Sequence, residues 1–123
     1  MTRPARVIFN PAAVRANLRV VRKLAPGSRV LAIVKADGYG HGIVRMARAL
    51  DDIDALGVAS VEEAVRLREA GIERPIVLLE GPFEARELID IAIHKLESVV
   101  HNEEQLAWFA RHEAAVPLWL KID

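Results

Sequence analysis

The feature that most constrains this chain is the steady return of short apolar runs. "RVLAIVK" (29–35), "LGVAS" (56–60), "IVLLE" (76–80), "LESVV" (96–100) and "PLWLKID" (117–123) follow one another at a nearly regular spacing. Each run has the length of a strand, and their continuous apolar character is that of strands buried on both faces of a parallel sheet. Helical patterns fill the gaps. Asn10 followed by Pro11 reads as an N-cap with proline at the first helical position, and Val14, Leu18, Val21 and Leu24 then share one face until Pro26-Gly27 stops the run. Ile43, Met46, Ala47 and Leu50 repeat the stripe. Ser60 with Glu63 forms a capping box for a helix over 61–70, which Gly71 ends. A helix is expected over about 84–93, and Asn102 with Gln105 caps another that carries Leu106 and Phe109.

Strands separated by helices of this length run parallel, joined by right-handed crossovers. The expected class is therefore α/β, with a leading helix and about five parallel strands. A closed barrel of eight such units and an open doubly wound sheet both satisfy the pattern. No sequence self-similarity accompanies the spacing, so the period is structural. The last run reaches Asp123 with no covering helix, and bare apolar edges are avoided in native sheets. The expectation is the first part of a longer chain.

Composition narrows the function. The chain is 52% hydrophobic and 28% charged, as a soluble globular domain would be. Seventeen basic residues balance seventeen acidic ones without a run of like charge, which leaves no electrostatic footprint for nucleic acid or an anionic membrane. There are no cysteines, so disulfides, thiolate metal sites and a cysteine nucleophile are excluded. No metal site is expected, because the four histidines (41, 94, 101 and 112) show no i, i+4 ligand spacing. The opening "MTRPARVIFNP" has no signal-peptide core and no segment approaches the roughly 20 apolar residues of a membrane span. A cytoplasmic location is expected.

In parallel α/β folds the functional end is the carboxyl end of the strands. Lys35, Ser60, Leu79 with Glu80, His101, and Lys121 with Asp123 fall there. Lys35 is the sharpest candidate. A lysine with its stem in apolar surroundings loses ammonium solvation and becomes nucleophilic, as imine chemistry requires. The bland reading is a strand-end lysine whose head reaches solvent. The loop after it, "GYGHG", supplies three glycines for close backbone approach, and the amides opening the next helix are candidates to hold an anion such as phosphate. It matches neither the dinucleotide fingerprint nor the P-loop. Tyr39, four residues beyond Lys35, is placed to reach a phosphate while the lysine bonds an aldehyde. Lys121 reads blandly as a rim lysine paired with Asp123 or Glu80. Glu62, Arg66, Arg68 and Glu69 read as solvated helix faces, and Trp108, Phe109 and Trp119 as core.

"AIVKADGYGHG" resembles the cofactor-lysine motif of the bacterial alanine racemases. "RPARVIFNPAAVRANLRVVRK", "ALGVASVEEAVRLREAGIERPIVLLEG" and "LWLKID" are similar to further segments of that family, so the resemblance spans essentially the whole chain. Gly38 stands where alanine is more common. The resemblance implies the N-terminal portion of a parallel (β/α)8 barrel, with 1–123 as a partial pyridoxal-phosphate-binding domain and a C-terminal β domain absent. It implies pyridoxal 5'-phosphate as cofactor, L- and D-alanine as substrates, and a homodimer for the full-length enzyme. Lys35 matches the lysine that forms the internal aldimine and acts as one of two bases. Tyr39 matches a tyrosine bonded to the cofactor phosphate, Leu79 an apolar residue lining the cofactor site, and Lys121 a lysine often carbamylated. The second base is a tyrosine of the partner's C-terminal domain in that family, and the one tyrosine here is Tyr39. The alternatives are a non-catalytic pyridoxal-phosphate-binding barrel module and an α/β fragment without a ligand.

Overall fold

The computed structural model of the chain describes residues 4–123. The first three residues, which open the segment read as lacking a signal core, lie outside the described residues. Helix α1 (Pro11–Leu24) starts as its cap predicts, with the Asn10 side chain accepting from the Ala13 amide at 3.1 Å. Strand β1 (Leu31–Ile33) follows, then a one-turn element α2 (Lys35–Tyr39) and helix α3 (Ile43–Ala49). Strand β2 (Ala55–Val58), helix α4 (Val61–Glu69) and strand β3 (Ile76–Leu78) come next. A 3-10 turn (Ala85–Glu87) leads into α5 (Leu88–Ile93), followed by β4 (Glu97–Val100), α6 (Glu103–Arg111) and β5 (Leu118–Leu120). The order is the one the apolar runs predict. The strands are shorter than those runs, and the helix expected over 84–93 divides into a 3-10 turn and an α-helix.

All four strand pairings are parallel, in the order β1-β2-β3-β4-β5. A doubly wound sheet reverses its direction of growth at a switch point; this sheet never does. Each right-handed crossover adds the next strand on the same side, so the helices cover one face and the sheet curls into a barrel sector. The helix-covered face is the core. Leu56, Val58, Ile76, Leu78 and Leu96 of the strand regions pack with Ile43, Ala47, Ala64, Leu67 and Ile91 of the helices, all buried.

The other face is that of a barrel interior. Register places Ile33 beside Gly57 and Gly57 beside Val77, with Val77 beside Glu97. A Cβ on Gly57 would lie 2.7 Å from Ile33 Cδ1 and 3.3 Å from both Leu79 Cδ atoms. The missing side chain thus leaves the space in which Ile33 and Leu79 meet across β2.

Several expectations are corrected. Trp119 is not core: it lies on the uncovered strand β5, 48% exposed, and its indole N–H donates to Glu97 Oε2 at 2.7 Å. The α1 stripe is only half used. Leu18 is buried, but Val21 and Leu24 are exposed, because α1 packs against α3 along a narrow contact. Arg68 is not a solvated helix residue. Its guanidinium donates to the carbonyls of Ile72 (2.7 Å), Arg74 (2.8 Å), His94 (2.9 Å) and Lys95 (3.3 Å), tying together the loops that precede β3 and β4.

Candidate active site at the carboxyl end of the strands

Strand β1 hands over to the lysine turn in two steps. The Val34 amide still donates to Gly57 O at 2.9 Å, continuing the ladder, and Lys35 begins α2. Lys35 is therefore the first residue of a turn, not the last of a strand as "RVLAIVK" suggested. The turn is left-handed. Ala36, Asp37, Gly38 and Tyr39 all have φ between 53° and 61°. Left-handed geometry costs roughly 1–2 kcal/mol for each residue with a Cβ, and only Gly38 of the four escapes it. Four consecutive residues hold this conformation because neighbours fix it.

Those fixings can be named. The Gly38 amide donates to Val34 O at 2.9 Å and the Gly42 amide to Asp37 O at 2.8 Å. Asp37 Oδ1 accepts from the Ile43 amide at 3.0 Å and from Arg66 Nη2 at 3.2 Å. The Asp37 amide donates to Glu63 Oε1 at 3.2 Å, while Glu63 Oε2 accepts from the Ala59 amide at 2.9 Å. The Ile43 amide, with a smaller contribution from Arg66, holds the Asp37 carboxyl below the usual carboxylate range against an opposing desolvation.

Two expectations change here. The amides opening α3 were candidates for an anion, but the Ile43 amide is already taken by the Asp37 carboxylate. The capping box at Ser60 forms only by half: Ser60 Oγ accepts from the Glu63 amide at 3.4 Å, but the Glu63 carboxylate goes to Ala59 and across to Asp37. Arg66 is exposed, as its reading as a solvated helix residue expects, and it also pairs with Asp37 at 3.2 Å.

Lys35 is half-buried, and among the described residues it enters no ion pair. Tyr39 shares its turn and is 69% exposed. Leu79 follows β3, half-buried, its amide donating to Val58 O at 2.9 Å and its side chain over Gly57. Lys121 follows β5 at the far edge of the sheet, its ammonium 3.1 Å from Asp123 Oδ2. Ser60 serves as the α4 cap. Glu80 and His101 border a recess of about 190 Å³ that Phe83 and Trp108 also line. All these positions thus lie at one end of the sheet, Lys35 and Tyr39 on its first strand's turn and Lys121 beyond its last.

Sequence reasoning missed three residues of this end. Asp37 and Glu63 hold the lysine turn, and Gln105 holds the next loops. Gln105 is buried; its Nε2 donates to Glu80 O (2.9 Å) and Pro82 O (3.1 Å), and its Oε1 accepts from the His101 amide (3.1 Å). Glu63 and Gln105 each sit at the third position of a capping box, where sequence reads only a local role.

The family model for the alanine racemase N-terminal domain matches residues 9–123. The chain belongs to the alanine racemase N-terminal domain family. It is 50% identical over 123 residues to the biosynthetic alanine racemase of Escherichia coli strain K12, an alignment that covers 97% of this chain and 34% of that protein. With the corresponding enzyme of the O6:H1 strain it is 51% identical over 121 residues, with the same coverage. The chain therefore spans about a third of the length of these curated relatives. Its fold superposes on the biosynthetic alanine racemase of Pseudomonas aeruginosa with a TM-score of 0.85 at 37% identity, covering 91% of this chain and 32% of that one. The alanine racemase of Acinetobacter baumannii gives 0.81 at 38% identity, covering 84% and 29%. Among the described residues, no helix is long and apolar enough to cross a membrane.

Proposed function

We propose that this chain provides the cofactor lysine of a pyridoxal-phosphate-dependent alanine racemase, with Lys35 as the attachment point and as the base on one face of alanine. The observation that carries the reading is the turn itself. A strained left-handed turn places a half-buried lysine, free of ion pairs among the described residues, at the carboxyl end of β1 in a member of this family. An amine without a carboxylate partner is more available for carbonyl addition than one held as a paired ammonium.

The residues fit the group. Lys35 offers the amine for its aldehyde, Tyr39 a phenolic O–H for its phosphate, and Leu79 with Ile33 an apolar wall. The amide of Ile43 is committed to Asp37, which leaves Tyr39 as the side-chain donor this reading assigns to the phosphate. Bound pyridoxal phosphate supplies an electron sink for the charge left when the α-proton departs. Lys35 takes or returns that proton on its face. Racemisation needs a second proton carrier on the opposite face, and Tyr39, when engaged by phosphate, is not free to be it. In this reading the second carrier is the tyrosine that the family resemblance assigns to the partner subunit of a homodimer. A C-terminal β domain and a cytoplasmic location belong to the same reading. A non-catalytic pyridoxal-phosphate-binding module is the second reading, favoured by the single tyrosine. Lys121 Nζ lies 3.1 Å from Asp123 Oδ2, so carbamylation would set two anions side by side.

The test is to incubate the chain with pyridoxal phosphate, reduce with borohydride and map the modified lysines by peptide mass. Label concentrated on Lys35 over Lys23, Lys95 and Lys121 is expected, and the same map shows any carbamate on Lys121. Label spread evenly over the four would overturn the assignment. Racemisation of L-alanine by the chain alone, abolished by Lys35→Ala, would remove the need for a second carrier from outside.

A further inference from the structure

We infer that Glu63 is a positioning residue for Lys35, acting through the backbone as a cross-strand tie rather than as a helix cap. Its two carboxylate oxygens are divided between two strand ends. Oε1 takes the amide of Asp37, two residues past the lysine, at 3.2 Å, and Oε2 takes the amide of Ala59, just beyond β2, at 2.9 Å. A capping-box glutamate satisfies the amide of its own cap, here Ser60. Glu63 instead links α4 and the end of β2 to the middle of the left-handed turn.

The placement has a physical purpose. Ala36, Asp37 and Tyr39 hold a conformation their Cβ atoms disfavour, so the turn relaxes unless its amides are held. Among the backbone amides of the turn, that of Asp37 is tied outside the loop, through Glu63 of α4 to the amide just past β2. Asp37's carboxylate anchors the other side, on the Ile43 amide and Arg66. A carboxylate accepting two backbone N–H groups makes charge-assisted bonds, stronger than a neutral side chain gives. Glutamine keeps one acceptor oxygen and loses the other; alanine loses both. The length of the glutamate stem is what spans the gap from α4 to both amides.

The role matters for function only if Lys35 is the reactive amine, so this inference rests on the proposed function. Its test is built to separate the two. Trace acetylation of the folded chain with acetic anhydride, read by peptide mass, compares Lys35 with Lys23 as an internal standard and needs no cofactor. Releasing the turn exposes a half-buried lysine, so Glu63→Ala should raise the Lys35 to Lys23 ratio by about threefold or more, with Glu63→Gln intermediate. Glu69→Ala, an exposed change on the same helix, should leave the ratio alone. In parallel, borohydride-trapped pyridoxal phosphate on Lys35 should fall by about fivefold in Glu63→Ala, because a pre-organised amine has been freed. Unfolding midpoints identify the variants that fold, and Glu63→Gln carries the test should alanine fail to. An unchanged acetylation ratio in folded Glu63→Gln and Glu63→Ala overturns the positioning role. If the parent chain takes no cofactor on Lys35, the proposed function fails, while the acetylation ratio still decides the role of Glu63.

Discussion

Asp37 shows how much one side chain does at this site. Its carboxylate accepts from the Ile43 amide and Arg66, and its own amide is held by Glu63. Because the hydrogen bond from Ile43 lowers its folded pKa, the unfolded chain binds the proton more readily than the folded one. Its stabilisation is therefore fully present above the ordinary carboxylate value and is lost as pH falls through the lower folded value. Asp54 follows the same rule, held down first by the Val30 amide and then by Arg22. Asp37→Asn should flatten the acid limb of the stability curve, because asparagine keeps an oxygen for Ile43 but has no charge to lose. Urea unfolding across a series between about pH 2 and pH 6 checks it, and an acid limb as steep as the parent's would refute it. At this scale the sequence singled out Lys35 and Tyr39 as candidates but hid what holds their turn. A lysine ending an apolar run is conspicuous, whereas Asp37 reads as loop and Glu63 as cap until folding brings β2 beside β1.

At the scale of elements, the loops after β3 and β4 are locked by Gln105 against Gly81. Gly81 has φ +69°, and a Cβ there would lie 2.5 Å from the Val99 carbonyl oxygen and 2.6 Å from Gln105 Nε2. The nearest obstacle is backbone, which cannot step aside. Gly81→Ala should cost roughly 2–4 kcal/mol, from a disfavoured conformation added to a clash. Chemical denaturation measures it, and a loss below about 1 kcal/mol would mean the loop moves freely. "GP" after an apolar run announced this turn in the sequence. The glutamine that fills it was legible only as a cap, because the carbonyls its Nε2 reaches, Glu80 and Pro82, lie more than twenty residues away.

For the whole molecule, the two ends of the sheet divide the work. The carboxyl end carries the candidate site. The amino end is pinned by arginines: Arg68 holds four carbonyls, and Arg74 donates to the carbonyls of Leu50 and Ala47. Burial lowers the Arg68 pKa somewhat, with Glu73 opposing, and the guanidinium remains charged. Arg68→Ala leaves those carbonyls short of a donor and should cost about 1–3 kcal/mol. In the fraction that stays folded, the preference of pyridoxal phosphate for Lys35 should be unchanged. A lowered preference in folded protein would show that the two ends are coupled.

The sequence by itself determined the elements and their order, because apolar runs, caps and glycine stops are local signals that act before any long-range contact forms. It also placed the lysine at a strand's carboxyl end, and its resemblance named the family. Only the tertiary structure decided between a barrel sector and a doubly wound sheet, since that choice depends on which side each crossover adds its strand, a property no local pattern encodes. Only it showed the left-handed turn and the carboxylates that hold it. Those bonds join residues from 37 to 63 that become neighbours when β2 pairs with β1, and the strain they offset exists only in the folded chain.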